Sequence, residues 1–448
     1  MASTDLTLMQ LSPIEDIIGD LTACQLFAIF EELAADGGAL DSIPRHERIR
    51  RLIRVVRAFE TEYLDVFGRL VTETAAHLSW SETMVRYVIK DFFSLLSETS
   101  LHTFLDSEIG PETAEQTFVS HPKRGAQSML VPPEVVLHIL SASVPTTAIE
   151  AMILSIAAGV PCVIRTSAHE RASARFFLNV LRMEAPELAR HIAVVTWPHD
   201  NPAFATRIAE ARPTVVFHGS DTSIQRFYQS LPTFTRVHPF GHRISFGLIS
   251  PGAALTQETI RLLAEDIARD VTLFEGRGCM SMQTLFVMPH AAQKDLALRI
   301  QDALIEHGFP TLREAFPRTP APDDIAAAQM QQIGVAEFEG TVRQSPDGNA
   351  LVWKTAALRS SPGWRHLHIC SVPDFETLMD AISPHRHALS TAGVYLDTRR
   401  AHSTAKLLAQ AGVRRICPIG RMQRPLILSA HDGQPRIRPW FQICDLEG

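Results

Sequence analysis

The sequence lacks several features that would assign it to a specialised class of protein. Its 448 residues include six cysteines, scattered at positions 24, 162, 279, 370, 417 and 444, with no C-x-x-C pair. This scatter argues against a disulfide framework and a structural zinc, and it suits the reducing cytoplasm. No apolar run reaches about 18 residues, and no basic segment precedes an apolar core at the N-terminus, so we expect neither a transmembrane helix nor a signal peptide.

Positive charge is also scarce. The formal net charge is -7 and the sequence pI is about 6.3, and no block of basic residues occurs. A nucleic-acid-binding function is therefore not expected. His366 and His368 alternate on a strand-like run but have no carboxylate or thiol at metal-ligand spacing, so no metal site is expected. A hydrophobic content of 46% is ordinary for a globular protein of two or three domains.

The hydrophobic pattern changes near residue 134. Before it, residues 11–35, 45–75 and 81–104 have apolar residues at three- and four-residue spacing, which predicts helices. After it, predicted strands at 135–140, 160–165, 191–196 and 214–218 alternate with predicted helices at 146–158, 170–183 and 201–211. These strands are apolar almost throughout, as in parallel sheets covered on both faces. The pattern predicts a doubly wound α/β fold, in which ligands bind beyond the carboxyl ends of the strands.

Cys279 is the most informative residue. It lies between a predicted helix at 257–272 and a predicted strand at 284–288, in a turn that also contains Gly276 and Gly278. The glycines allow the backbone to approach a substrate closely. A thiolate beside backbone N–H donors suits acyl chemistry through a thioester, and Arg277 would favour the thiolate if its side chain turned inward. The alternative is a buried structural cysteine.

A set of short motifs carries a family resemblance. The motifs occupy residues 165–167, 218–221, 241–247, 278–281, 415–422 and 431–433. Their order and spacing resemble those of the aldehyde dehydrogenase superfamily. Within it, the chain is most similar to the acyl-CoA reductase of bacterial bioluminescence and its relatives. The resemblance covers the chain from about residue 134 to the C-terminus, and the helical first hundred residues are less diagnostic.

The resemblance implies an aldehyde-dehydrogenase-like α/β fold with a doubly wound cofactor-binding domain, an α/β catalytic domain and a helical N-terminal region. We expect residues 1–115 to form the helical N-terminal part of the cofactor-binding domain and residues 132–249 its Rossmann-like part. Residues 250–420 would form the catalytic domain with Cys279. Residues 116–131 and the C-terminal extension, 421–448, would form an oligomerisation element of a homo-oligomer.

The activity implied by the resemblance is NADPH-dependent reduction of a fatty acyl thioester to an aldehyde. The thioester would be carried by CoA or acyl carrier protein, with an acyl-activating enzyme as a further partner. Cys279 matches the nucleophile, Arg165 matches the residue that reaches the adenosine ribose, and Ser167 lies beside it. Gly219 and Ser220 match the turn that meets the pyrophosphate. A strand-end charge at Arg165 and an ordinary helix N-cap at Ser220 are the alternatives.

Two departures from the superfamily affect the expected chemistry. No Asp or Glu occurs between Asp221 and Glu258, where hydrolytic members place the base that activates water, and this favours the reductase branch. Ser143 stands where relatives have an asparagine that helps to hold the oxyanion. Loss of such a donor typically costs about 2.7–4 kcal/mol. An aldehyde-oxidising dehydrogenase and a non-redox acyl-transfer or scaffold protein therefore remain as alternatives.

The cofactor preference follows from the turn after the second predicted strand of this region. NAD-preferring relatives often have a glutamate near the position of Ala168, where its carboxylate would repel a 2′-phosphate. Here that charge is absent and the Arg165 guanidinium is available, so we expect NADPH to be preferred over NADH. Glu170 is the residue that most opposes this prediction. A small shift of the turn would bring its carboxylate to the ribose, where it would disfavour NADPH.

Overall fold

The computed structural model describes residues 21–121, 126–141, 144–167, 171–197 and 201–447. Its N-terminal region is helical: α1 (Ala23–Asp41), α2 (Arg45–Thr61), α3 (Leu64–Leu78), α4 (Glu82–Ser94) and α5 (Glu98–Ile109). The predicted helices at 45–75 and 81–104 are thus each divided in two, and residues 11–20 of the first predicted helix lie outside the described ranges.

The break between α4 and α5 has a local cause. The Ser97 hydroxyl accepts the Ser100 N–H at 3.0 Å, and the Ser100 hydroxyl accepts the Ser97 N–H at 2.9 Å. This reciprocal pair of hydrogen bonds is a capping box, which satisfies donors at a helix start and begins α5.

The remaining helices are interspersed with strands. They are α6 (Thr147–Ala157), α7 (Arg171–Glu184), α8 (Pro186–Ala189), α9 (Pro202–Ala211), α10 (Asp221–Gln229), α11 (Gln257–Thr272), α12 (Leu296–Ala303), α13 (Phe309–Thr311), α14 (Asp323–Glu339), α15 (Phe375–Ile382) and α16 (Ala401–Gln410). The strands are β1 (Val119–His121), β2 (Ala126–Val131), β3 (Val136–Ile139), β4 (Cys162–Arg165), β5 (Ile192–Val195), β6 (Thr214–His218), β7 (Val237–Phe240), β8 (Ile244–Ser250), β9 (Met282–Val287), β10 (Gly340–Ser345), β11 (Gly348–Trp353), β12 (His366–Ser371), β13 (Leu389–Leu396), β14 (Arg415–Pro418) and β15 (Gln442–Glu447).

The first parallel sheet has the strand order β5-β4-β3-β6-β7. Ile139 of β3 pairs with Arg165 of β4 on one side and with Phe217 of β6 on the other. The carboxyl ends of these three strands are therefore level, so Arg165 and the turn after β6 meet at one edge of the sheet. The parallel strands and covering helices expected of a doubly wound α/β domain are confirmed.

The second sheet has the order β10-β11-β12-β9-β8-β13-β14, and only the β10–β11 pairing among these neighbours is antiparallel. The sequence-based division assigned β8 to the 132–249 domain. The structure corrects this boundary, because β8 pairs with β9 and β13 of the second sheet. The residues that lead from β7 to β8 therefore connect the two sheets.

A third, antiparallel sheet joins two segments that are far apart in the sequence. Its strand order is β1-β2-β15, with Val131 opposite Gln442 and Ala126 opposite Glu447. These are the segments that the sequence assigned to an oligomerisation element. Every residue of β15 is exposed, including the apolar Ile443 at 57%. Assembly through this sheet stays a prediction.

The N-terminal helices pack on the first sheet's domain. α1 contacts α9, α2 contacts α6 and α7, and α3 contacts α7. The packing is consistent with the assignment of this region to the cofactor-binding domain. In the described part of the chain, no helix is both long enough and apolar enough to cross a membrane.

Candidate active site

A cavity of about 700 Å³ contains the Cys279 residue. Its walls come from the turn after β6, the connection from β7 to β8, the turn before β9, helix α4 and residues 423–436. Cys279 is exposed to this cavity. The cavity therefore joins the carboxyl edge of the first sheet to the cysteine turn of the second.

The cysteine turn is set up by an unusual backbone. After α11, Phe274, Glu275 and Gly276 have φ values of +58°, +47° and +71°. Two consecutive residues with side chains in the left-handed region are costly, and such conformations persist only where the surroundings enforce them. Glu275 is held by Arg365, whose Nη2 and Nε lie 3.1 and 3.2 Å from its carboxylate oxygens, and both side chains are fully buried.

Neighbouring strands fix the backbone around Cys279. The Ser245 hydroxyl donates to the Cys279 carbonyl oxygen at 2.8 Å and accepts the Thr391 N–H at 3.1 Å. The Cys279 and Met280 N–H groups lie beside the Cys279 sulfur and act to lower the thiol pKa. Backbone N–H groups beside an attacking sulfur are the kind of donor that can hold an oxyanion.

The electrostatic environment keeps the Cys279 thiol protonated at neutral pH. Burial in the cavity wall, followed by the Asp432 carboxylate, raises the pKa of Cys279 to about 12, against the opposing effects of the N–H donors and Arg243. The residue is exposed to the cavity, so the desolvation comes from the protein walls that surround the sulfur within it. Since the thiolate is the nucleophile, activation requires loss of a proton when substrate binds.

Arg277 does not take the role that the sequence suggested for it. It lines the cavity, but its guanidinium lies 5.8 Å from the centre of the Trp364 ring, a cation–π distance. Arg243 is the arginine whose charge favours the thiolate. Nothing in the sequence around Cys279 pointed to Arg243, because it is 36 residues away and reaches the cavity through the β7–β8 connection.

The cavity contains carboxylates that the sequence search between 221 and 258 did not cover. Each carboxylate among its described lining residues forms an ion pair with an arginine; the pairs are Asp91–Arg424 at 3.1 Å, Asp432–Arg243 at 2.9 Å and Glu150–Arg436. A neighbouring cation stabilises the charged form of a carboxylate, although at Asp91 burial outweighs the arginine and raises the pKa above its ordinary value. The described walls therefore offer no unpaired carboxylate to activate water.

Two histidines line the same cavity. The His218 and His431 ring centres are 5.4 Å apart, and both rings contact Phe240. Burial lowers the pKa of His218 to about 3 and the pKa of His431 to about 4. Both imidazoles are therefore neutral at physiological pH and are weak bases.

Arg165 lies in a second cavity, of about 240 Å³, at the carboxyl ends of β3, β4 and β6. Its Nη2 donates to the Trp197 carbonyl oxygen at 3.1 Å, and burial lowers its pKa. The Arg165 Nε and the nearby Ser167 Oγ are buried with no hydrogen-bond partner in the described structure. A second arginine, Arg226, also lines this cavity, whose described lining includes no carboxylate.

Gly219 and Ser220 line the main cavity at the start of α10, while Ser223 of the next turn lines the second cavity. The Ser220 hydroxyl accepts the Ser223 N–H at 3.1 Å, so Ser220 is the helix N-cap. A Cβ on Gly219 would lie 2.7 Å from the Phe217 ring, so the tight turn requires glycine. The start of α10 therefore separates the two cavities.

The structure thus divides the predicted site residues between two places. Cys279, Gly219 and Ser220 share the main cavity, and Arg165 lies in the second. Ser143 lies outside the described residues, as do Ala168 and Glu170. Sequence reasoning gave no site role to the paired residues Arg243 and Asp432, although Arg243 belongs to the 241–247 motif and Asp432 to the 431–433 motif.

Comparison with known proteins identifies the family. The family model described as acyl-CoA reductase (LuxC) matches residues 45–438. A long-chain acyl-protein thioester reductase from Photorhabdus luminescens is 22% identical over 276 residues, which are 60% of this chain and 56% of that protein. The alignment therefore spans little more than half of this relative.

Solved structures show the fold. A NAD-dependent benzaldehyde dehydrogenase from Corynebacterium glutamicum aligns with a TM-score of 0.71 at 14% identity, covering 95% of this chain and 89% of that one. A Delta-pyrroline-5-carboxylate dehydrogenase from Mycobacterium tuberculosis, solved with NAD bound, aligns with a TM-score of 0.68 at 15% identity, covering 95% and 83%. The predicted aldehyde-dehydrogenase-like fold is confirmed. Because the family model covers most of its length, the chain belongs to the acyl-CoA reductase (LuxC) family.

Proposed function

We propose that this protein reduces an acyl thioester, carried by CoA or acyl carrier protein, to an aldehyde with NADPH through an acyl-enzyme on Cys279. The observation that carries the proposal is the position of Cys279: it lines a cavity, backbone N–H groups lie beside its sulfur, and the described carboxylates of the cavity are all paired. This arrangement suits acyl transfer to sulfur without hydrolysis.

Attack by sulfur forms the new thioester. The Cys279 sulfur adds to the acyl carbonyl, and the Cys279 N–H holds the oxyanion, with Ser143 as the proposed second donor. The thiol proton passes to the departing CoA or carrier thiolate, because His431, whose pKa burial lowers to about 4, is too weak a base to hold it. The CoA or carrier thiol departs with that proton, so the acyl group remains on Cys279.

The residues present fit a nicotinamide cofactor. Arg165 and Ser167 have buried polar atoms without partners at the edge of the first sheet, and the Gly219–Ser220 turn lies between the two cavities. Arg165 would hold the adenosine ribose and its 2′-phosphate, and this turn would meet the pyrophosphate. When bound, the reduced nicotinamide supplies the hydride that converts the acyl-enzyme to a thiohemiacetal.

The chain then controls what happens to the reduced acyl group. The N–H donors that hold the first oxyanion also stabilise the alkoxide of the thiohemiacetal. Collapse breaks the carbon–sulfur bond, releases the aldehyde and restores Cys279. The cavity walls limit competing hydrolysis of the acyl-enzyme, since no unpaired carboxylate of the described lining can activate water.

Two rival functions predict different products. An aldehyde-oxidising dehydrogenase requires a base to release the acid, and the ion-paired carboxylates of the cavity count against it. A non-redox acyl-transfer or scaffold protein would keep the fold without using the cofactor. Assembly of the homo-oligomer through the exposed β15 sheet, and transfer of acyl groups from an acyl-activating enzyme, belong to the same proposal.

A single assay separates these functions. Purified protein is mixed with NADPH and a series of acyl-CoA and acyl carrier protein thioesters, and cofactor absorbance and trapped aldehyde are followed together. Equal amounts of oxidised NADPH and aldehyde are expected. Acid formation from an aldehyde with NADP⁺, without thioester reduction, would indicate the dehydrogenase. Acyl transfer without cofactor oxidation would indicate the non-redox protein.

A further inference from the structure

The main cavity has apolar lining residues that belong to none of the strands of the first sheet. They come from α4 and its C-cap, from the start of α14 and from the C-terminal segment, and we call them the apolar wall: Val88, Phe92, Leu95, Ile325, Leu426 and Ile427. The polar lining from His218 to Ser220 comes instead from the end of β6 and the start of α10. The cavity therefore has one side suited to a polar cofactor and another suited to a hydrocarbon.

Helix α4 supplies half of this wall through its periodicity. Positions 88, 92 and 95 are spaced as i, i+4 and i+7, so their side chains follow one helix face. Val85, Ile89 and Phe93 of the same helix are buried in the protein core, and Val88 is buried there as well. Phe92 and Leu95 are only partly buried, so they extend the apolar surface of the helix beyond the core and into the cavity lining.

The wall has a closed end and an open rim. Val88 is 4% exposed, Leu95 at the helix end is half-buried, and Leu426 is 71% exposed. The wall thus runs from a protein-filled floor to a solvent-exposed edge. Beside the catalytic cysteine, Phe274 and Met280 add apolar surface to the same cavity.

An arginine joins the two halves of the wall. The Arg424 Nε lies 3.1 Å from an Asp91 carboxylate oxygen, and its Nη2 donates to the Ser94 hydroxyl at 3.1 Å. Asp91 and Ser94 lie on α4, while Arg424 immediately precedes the Leu426 segment. These contacts hold the C-terminal segment against α4 and so fix the width of the space between them.

We propose that the apolar wall binds the hydrocarbon chain of the substrate and that its α4 residues set the preferred acyl-chain length. This inference rests on the proposed function and specifies where the chain lies relative to Cys279. It also gives the N-terminal helical region a role in substrate recognition, in addition to its packing against the cofactor-binding domain.

The proposal predicts a definite dependence on chain length. Burial of one methylene contributes about 0.8 kcal/mol, which corresponds to about fourfold in affinity. The kcat/KM value should therefore rise about fourfold per added methylene as long as each added methylene is buried against the apolar wall. It should level off or fall once the acyl chain reaches Val88 at the closed end of the wall.

The main test narrows the wall at its half-buried part. Leu95→Trp should move the preferred acyl-CoA to a shorter chain and lower kcat/KM for the longest substrates at least tenfold, while short-chain substrates change less than threefold. Val88→Phe, deeper in the wall, should also shorten the preferred acyl chain, but by fewer carbons than Leu95→Trp does. Leu64→Trp is the matched control, because Leu64 is 59% exposed on α3 and lies outside the cavity lining.

A second measurement keeps this test independent of turnover. Binding of a fluorescent long-chain fatty acid is measured without cofactor. The affinity for this probe should be lower in Leu95→Trp than in the native protein and unchanged in Leu64→Trp. If the native protein reduces no thioester yet binds the probe in this way, the proposed function fails and the apolar wall stands. If it reduces thioesters and Leu95→Trp changes all chain lengths equally, or leaves both probe binding and chain preference unaltered, the wall assignment is overturned.

Discussion

The Asp432 carboxylate lies 2.9 Å from Nε of Arg243, and both side chains line the cavity that contains Cys279. Ser390 donates a further hydrogen bond to Asp432 at 3.2 Å. The two charges act on the thiol in opposite directions, since Asp432 raises its pKa and Arg243 lowers it. This ion pair therefore adjusts how readily the Cys279 thiolate forms.

Removal of the negative charge should make the thiol more reactive. With a Cys279 pKa near 12, the rate of alkylation by iodoacetamide should rise about tenfold per pH unit from pH 7 to 10, because the thiolate fraction does so. An unperturbed thiol would level off above about pH 9. Asp432→Asn should shift the profile to lower pH and speed alkylation at pH 7.5 several-fold. An unchanged profile in this variant would contradict the assigned electrostatics.

The two arginines of the cavity should differ in their influence on Cys279. Arg243→Gln should slow alkylation at neutral pH, because it removes the cation and leaves Asp432 unpaired. Arg277→Ala should leave the rate within about twofold, since its guanidinium lies over Trp364. If alkylation were slower in the Arg277 variant than in the Arg243 variant, Arg277 would be the arginine that favours the Cys279 thiolate, as its position in the sequence suggested.

The buried ion pair below the cysteine turn should be important for stability. Glu275 and Arg365 are fully buried, so Arg365→Met would leave a carboxylate without its partner. Removal of one member of such a pair typically costs about 3–5 kcal/mol. Urea unfolding should show this loss, whereas Arg343→Met, in the half-exposed pair with Asp302, should cost at most about 1 kcal/mol. Similar losses in both variants would show that the Glu275 pair does not stabilise the turn.

Cofactor choice should depend on Arg165. A charge-assisted hydrogen bond contributes about 1.5–3 kcal/mol, or roughly tenfold or more in affinity. Arg165→Ala should therefore weaken NADPH binding at least tenfold and NADH binding less, and the native protein should prefer NADPH. Titration of both reduced cofactors into both proteins measures this. Equal affinities in the native protein, or equal losses in the variant, would reject the assignment without affecting that of Cys279.

Much of the fold could be predicted because its signals are local. The apolar strands and intervening helices of the first sheet repeat with clear periodicity, and all four of the strands predicted between residues 135 and 218 occur within one residue or two of their expected bounds. The boundary between sheets was less predictable. An apolar run such as β8 has the same appearance whichever sheet it joins, and pairing with β9 and β13 decides its place.

The site was predictable only where a motif is continuous. Cys279 stood out because its turn and its glycines are adjacent in sequence. The ion pair of Arg243 with Asp432 spans 189 residues, and the apolar wall joins α4 to a segment more than 300 residues later. Such pairs are brought together by sheet topology and helix packing, which local patterns do not encode.

The most direct test of the account is the fate of an acyl group on Cys279. Long-chain acyl-CoA is added to the protein without cofactor, intact mass is recorded, and NADPH is then added. We expect one acyl group on Cys279, stable until NADPH converts it stoichiometrically to aldehyde, and no thioester-linked acyl group in Cys279→Ser. Thioester-linked acylation of the serine variant, or release of free acid rather than aldehyde on addition of NADPH, would contradict it.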